Sequence, residues 1–202
     1  MGVRGCIVIE AALRLIVGEL DQSLRLQTPG PAKLATLSNL VDSHGSPVPD
    51  AADKLAVFLV NIEREDIPVR APRPLDFGED RLAVRQPPVF LNLLVMFAAN
   101  FSGPTYNEAL KAIADTIAFF QSKPVFNATN TPDLDPGLDR ISLEIENLNT
   151  TDLSNLWGIF GGRYMPSVLY RLRMLAIDGQ QITAQPRRVE RTATTLVPSA
   201  AR

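Results

Sequence analysis

The chain holds one histidine and one cysteine, so its stock of reactive side chains is small. His44 sits in the loop-like run His44-Gly45-Ser46-Pro47, with no serine or cysteine nucleophile motif around it, and reads as a solvated loop residue. Cys6 has only Arg4 close by in sequence to favour its thiolate, and reads as an inert thiol. A lone cysteine excludes an intrachain disulfide, and together with one histidine it cannot build a zinc site.

Other patterns invite chemistry and then decline it. Gly161-Gly162-Arg163 has phosphate-loop composition, but phosphate loops precede a helix N-terminus and these glycines follow a helical stretch. Asp133, Asp135 and Asp139 lack the glycine and terminal glutamate of a calcium loop. Glu144 and Glu146 form a carboxylate pair; a hydrolase would need a deep polar pocket around them. Trp157 lies among Leu153, Leu156 and Phe160, as a core anchor does. No catalytic, cofactor-binding or metal-binding residue is assigned, no cofactor is expected, and the chain does not read as an enzyme.

These residues are positioned by a chain of 202 residues, 46% hydrophobic and 21% charged, with net charge −2. That length suits one domain, at roughly 100–200 residues each, and the composition can build a core. The near-neutral charge gives no general pull towards nucleic acid or anionic lipid. Glu10 and Arg14 interrupt the apolar run a signal peptide would need, so residues 1–20 read as part of a helix kept in the cytoplasm. Cys6 stands where a myristoylation signal would carry Ser or Thr.

The organising stretch is 86–101. After Pro87-Pro88, Val89, Leu91, Leu93, Val95 and Phe97 point one way in an extended chain, and Phe90, Leu94, Met96 and Ala98 the other, with Asn92 alone polar. A strand apolar on both faces belongs in the middle of a covered sheet, and this one is too short to cross a bilayer as a helix. Upstream, Ile9, Leu13, Ile16, Val17, Leu20 and Leu24 recur at helical spacing over 7–26. A weak strand is expected within 33–40 and a strong one at 54–64. The Pro-rich, doubly charged segment 66–85 is too long for an idle connection, with Leu82-Ala83-Val84 as the return arm of a hairpin.

Downstream, Thr105 and Glu108 have the spacing of a capping box, and Leu110, Ile113, Ala114, Ile117 and Phe120 form the apolar stripe of the helix they start. A loop is expected over 125–137. Strands follow at 140–148 and 167–177, separated by a short helix over 151–160 that Gly161-Gly162 stops. The alternation predicts that these strands are neighbours, with Glu144 and Glu146 facing Arg171 and Arg173. The fold class is α/β (α+β): a single mixed, largely antiparallel sheet flanked by helices, with a protruding Pro-rich loop or hairpin. Residues 1–178 form the domain, and 179–202 a flexible basic tail.

Four stretches in order carry a resemblance: Glu10-Ala-Ala-Leu in the first helix; Pro87-Pro88 with the strand to Phe101; Phe119-Phe-Gln-Ser-Lys-Pro-Val-Phe126 with Asn130-Thr-Pro-Asp133; and Leu156-Trp-Gly-Ile-Phe-Gly-Gly-Arg-Tyr-Met-Pro-Ser-Val-Leu-Tyr170. Over 7–177 the chain resembles the tail-terminator or cap proteins of phage-tail-like contractile injection systems. The resemblance implies a non-enzymatic structural protein that forms a homo-oligomeric ring, expected to be a hexamer, on the distal end of inner tube and sheath. There it would end polymerisation and couple the two. Its partners would be copies of itself and the tube and sheath proteins, with no nucleic acid and no membrane contact of its own. It would assemble in the cytoplasm as part of a particle either released or membrane-anchored. The alternative is a monomeric adaptor or chaperone for tube or sheath subunits.

A terminator needs one surface that fits the last layer of a polymer and another that refuses more subunits, and a ring needs a heterologous interface that closes. The expected ring or tube contacts are Arg70, Arg73, Asp76, Glu79, Asp80, Arg81 and Arg85 in the long charged segment. Arg187, Arg188 and Arg191 of the tail are expected to grip an acidic neighbour.

Overall fold

The computed structural model of the protein describes residues 4–27, 33–65, 75–76, 82–85, 89–138, 140–177 and 182–184. Its helices are α1 (Arg4–Gln27), α2 (Tyr106–Ser122) and α3 (Thr150–Ile159). Its strands are β1 (Ala35–Leu37), β2 (Lys54–Arg64), β3 (Leu75–Asp76), β4 (Leu82–Arg85), β5 (Val89–Asn100), β6 (Val125–Asn127), β7 (Arg140–Glu146), β8 (Ser167–Ile177) and β9 (Ile182–Ala184). Among the described residues, no helix is long and apolar enough to cross a membrane.

Six strands make the main sheet in the order β1-β2-β5-β8-β7-β6. Only β1 and β2 are parallel; every other ladder in it is antiparallel. As its two apolar faces require, β5 is interior. Leu93, Val95, Phe97 and Ala99 join a core with α1 and α2, while Met96 and Ala98 join a second core with α3. Such a strand cannot sit at an edge without exposing one of these faces.

Helix α1 buries Leu13, Ile16, Val17, Leu20 and Leu24, while Glu10 and Arg14 pair in solvent at 2.8 Å. Asp21, nearly buried, accepts the N–H groups of Leu34 and Ala35 at 2.7 and 3.0 Å, which fixes where β1 begins. Lys123, just past α2, reaches Glu19 of α1 at 2.8 Å and stands 4.7 Å from the centre of the Phe126 ring. Between α2 and the sheet, Phe97, Phe120 and Tyr170 pack edge-on or tilted, with ring centres 4.9–5.5 Å apart.

Two details of α2 differ from the expectation. Thr105 is its N-cap residue, but its hydroxyl donates to Ser102 O at 2.9 Å and no capping box forms. The buried side of α2 runs through Ala109, Thr116 and Phe120, leaving Leu110 46% exposed. Thr116 can be buried because its hydroxyl donates to Ala112 O at 2.6 Å, leaving its methyl to pack. The stretch expected to be a loop after α2 opens with β6 and buries Thr131 and Leu134.

Helix α3 is capped by Asn149, whose side chain accepts the Asp152 N–H at 2.8 Å. It stops at Gly161 and Gly162, whose φ values of +87° and +73° suit glycine. Trp157 is buried against the second core, with Phe160 and Tyr164 edge-on to it.

Residues 68–87 and 178–202 form a second, smaller unit. Within it, β3 pairs antiparallel with β4 (Leu75↔Ala83, Asp76↔Leu82), and β4 pairs antiparallel with β9 (Val84↔Ala184, Arg85↔Ile182). The return arm at 82–84 thus has a strand on each side, and residues 182–184 of the expected tail supply one of them.

Candidate functional site

The face of the main sheet that packs on α3 changes character along the strands. Beneath α3 it is apolar, with Phe58, Met96, Ala98, Trp157 and Leu169. Further along it carries Glu63 and Glu65 from the end of β2 and the residue after it, Asn92 from β5, Arg171 and Arg173 from β8, and Glu144 and Glu146 from β7. Four strands therefore deliver four carboxylates, two guanidiniums and one amide to one patch.

Arg171 donates Nε to Glu146 Oε2 at 2.7 Å and Nη1 to Glu63 Oε2, spanning from one neighbouring strand to a strand beyond the other. Arg173 donates Nη1 to Glu144 Oε2 at 3.2 Å, and its Nη2 lies 3.6 Å from Glu65 Oε1. Asn92, buried, donates its amide to Glu65. Each guanidinium is thus shared by two carboxylates, a geometry to which arginine's rigid fork of donors is suited.

Two β-bulges assemble this patch. In β2 the register moves from Leu59↔Val95 to Asn61↔Leu94, leaving Val60 as an extra residue. Leu59 lies on the α1 side, and strict alternation along the chain would put Asn61, Glu63 and Glu65 there too; the bulge turns them to the other face. In β8 the register moves from Leu91↔Leu175 to Leu93↔Leu172, so two residues oppose Asn92. Arg173 is one of them.

The electrostatics favour a permanent ion pair. The hydrogen bond from Arg171 holds the Glu146 carboxyl below its usual range, outweighing the opposing effect of burial. Glu146 and Glu63 in turn push the Arg171 pKa up. A general acid working near neutrality needs a raised carboxyl pKa, the reverse of what Glu146 has. Glu144 is exposed and paired with Arg173. The expected facing of Glu144 and Glu146 to Arg171 and Arg173 is present as one patch, whereas Glu63, Glu65 and Asn92 were not anticipated as members. The alternation Glu63-Arg64-Glu65 at the end of β2 was their one visible signal; the bulge that aims them has none.

Of the residues expected to make ring or tube contacts, Asp76 ends β3 opposite Leu82, and Arg85 ends β4 opposite Ile182. Arg70, Arg73, Glu79, Asp80 and Arg81 lie outside the described residues, as do Arg187, Arg188 and Arg191. His44 sits in a turn where Asp42 Oδ1 accepts the N–H groups of His44 and Ser46, both at 2.8 Å.

The chain is similar in structure to the sheath/tube terminator of an extracellular contractile injection system, PVC, in its extended state. The TM-score is 0.59 with 14% identity, covering 95% of this chain and 64% of that one. It is also similar to the tube-terminating cap of the anti-feeding prophage, with a TM-score of 0.58 and 17% identity, covering 94% of this chain and 60% of that one. The chain therefore spans a little under two thirds of each of these two structures. No curated protein matches it. The sequence matches the Pvc16 N-terminal domain over residues 11–191, and the chain belongs to that family.

Proposed function

We propose that the protein is a structural cap of a contractile injection system, seated as a ring on the distal end of the inner tube and sheath, where it ends their polymerisation and couples one to the other. The observation that carries this reading is the family match over residues 11–191, joined by a fold like that of two terminators. The patch around Arg171 suits a rigid contact surface better than a reaction centre, because each of its carboxylates is paired with an arginine and Arg171 holds the Glu146 carboxyl below its usual range.

In this reading the ring is six-fold and the partners are copies of the chain together with tube and sheath subunits. Arg70, Arg73, Asp76, Glu79, Asp80, Arg81 and Arg85 are the proposed ring or tube contacts, and Arg187, Arg188 and Arg191 grip a neighbour. The protein is assembled into the particle in the cytoplasm, works without a cofactor and catalyses no reaction.

Removing the protein from a producing cell tests this. The expected result is a broad distribution of tube and sheath lengths, restored to a single length by the intact chain. An unchanged length distribution rejects the reading. Light scattering on the purified chain should find a stable ring, whereas a monomer at every concentration would point to an assembly adaptor.

A further inference from the structure

Two guanidiniums do not balance the charged patch. Glu63, Glu65, Glu144 and Glu146 bring four negative charges to Arg171 and Arg173, and the side chains of Glu63, Glu144 and Glu146 are 37%, 58% and 34% exposed. The other charged residue on that face of β7, Arg140, stands four residues from Glu144. Glu63 and Glu146 each give Arg171 one oxygen, Oε2, and a carboxylate has room for about four hydrogen bonds in all. Among the described residues, no group of three or more acidic, histidine or cysteine side chains could hold a metal ion. The four carboxylates stand instead in two columns, one at the end of β2 and one on β7, with β5 and β8 between them. Three strand spacings of about 4.8 Å put these columns roughly 14 Å apart.

The sequence holds a segment of matching charge. Residues 185–202 carry four arginines against one glutamate, in a chain whose net charge is −2. A second copy therefore brings the complementary cations with it. In an extended chain Arg187 and Arg191 point the same way, about 13 Å apart at roughly 3.3 Å per residue, while Arg188 and Glu190 point the other way. The spacing of these two arginines matches the spacing of the two carboxylate columns.

We propose that Arg187 and Arg191 of one copy lie across the charged patch of the next, one on the column of Glu63 and Glu65 and the other on the column of Glu144 and Glu146. Arg171 and Arg173 already hold these carboxylates in place, so the incoming guanidiniums meet aligned acceptors and little side-chain freedom is lost on the receiving side. Arginine suits the task, because its planar fork keeps its charge and its donor geometry where a carboxylate is already shared with another cation. The contact joins two different surfaces, so it is heterologous and, repeated, leads from copy to copy around a ring. That the receiving patch belongs to the next copy rests on the ring proposed above; the match of charge and spacing does not.

The test mixes two full-chain variants. Arg187→Gln with Arg191→Gln removes the arginines and keeps the patch. Glu63→Gln with Glu144→Gln keeps the arginines and leaves each patch guanidinium one carboxylate. In sedimentation velocity each variant alone should self-associate about tenfold or more weakly than the native chain, and added salt should weaken the native chain in the same way. Mixed in equal amounts, the two should regain association as a one-to-one dimer that grows no further, because one intact arginine pair meets one intact patch. If the double glutamate variant does not fold, Glu144→Gln alone, at the most exposed of the four, takes its place. Native-strength association of either variant alone would overturn the proposal and leave the ring reading standing. A mixture no more associated than its parts, the result expected if each copy's arginines docked on its own patch, would overturn it too. A native chain that stays monomeric at every concentration would reject the ring and the proposal with it.

Discussion

Arg171 lies directly opposite Glu144 in the β7–β8 register, yet its Nε is bonded to Glu146, two residues further along β7. Arg173, opposite Ser142, is displaced the same way and bonds Glu144. Diagonal neighbours on one sheet face are within reach of long side chains, so the whole charged row is read one step off the ladder. The displacement leaves the second side of Arg171 free for Glu63, across β5.

Arg171→Leu should therefore cost more than one surface ion pair, because it strands both Glu63 and Glu146. At about 0.2–1 kcal/mol for each exposed or half-exposed pair, a loss of about 0.5–2 kcal/mol in urea unfolding at pH 7 is expected.

The same variant should be less sensitive to acid. Glu146 is depressed below its usual value of 4.5 in the folded chain, so its contribution is present above that pH and is lost as pH falls through the folded value. Unfolding curves of the native chain and Arg171→Leu should converge below about pH 4.5; a constant gap down to pH 2 would contradict the assignment.

Tyr170 limits stability at the other end of the scale. Burial pushes its phenol up to about 12, against a usual 10.0. A raised value means its contribution is intact below pH 10 and is lost as pH climbs through about 12, because the unfolded chain ionises first. Tyr170→Phe keeps the ring against Phe97 and Phe120 and should remove part of the alkaline loss between pH 10 and 12, measured by thermal unfolding across that range.

On α2, position should outweigh hydrophobicity. Phe120→Ala empties a site surrounded by Phe97, Phe119, Phe126 and Tyr170 and should cost about 3–5 kcal/mol. Leu110→Ala, at a half-exposed position, should cost about 0.5 kcal/mol or less in the same denaturant titration.

Gly162→Ala places a Cβ at φ +73° and should cost about 1–2 kcal/mol, although nothing crowds the new atom. If the loss is backbone strain alone, Gly162→Asn should recover part of it, since Asn tolerates this region better.

Much of this architecture is legible from side-chain alternation. The two-faced run at 89–100 has one possible place, and strands 54–64, 140–146 and 167–177 announce themselves by their patterns. So does the meeting of Glu144 and Glu146 with Arg171 and Arg173. What stays hidden depends on backbone irregularity or on a tie between patterns. β6 is three residues inside an Asn/Thr/Pro/Asp stretch, too short to show a period. The stripe expected on α2 holds at Ile113 and Phe120 but not at Leu110, because helical spacing also admits a line through Ala109 and Thr116, whose hydroxyl is satisfied by Ala112 O. Glu63, Glu65 and Asn92 joined the charged patch through bulges, which no residue type marks here.

The extra residue in β2 acts as a phase shifter. Before Val60 odd-numbered side chains serve the α1 side; after it they serve the opposite one, so a single strand is spelled in two reading conventions. Excising Val60 would set Asn61 next to Leu59, opposite Leu94 and Val95 in an unbroken ladder, and every later side chain would keep the side it now has. Flattening the bulge with all its residues kept would do the reverse, thrusting Glu63 and Glu65 to the α1 side and delivering the apolar Ile62 among guanidiniums. A one-residue deletion here should accordingly be tolerated, at the cost of the packing that Val60 itself makes against the α3-side core.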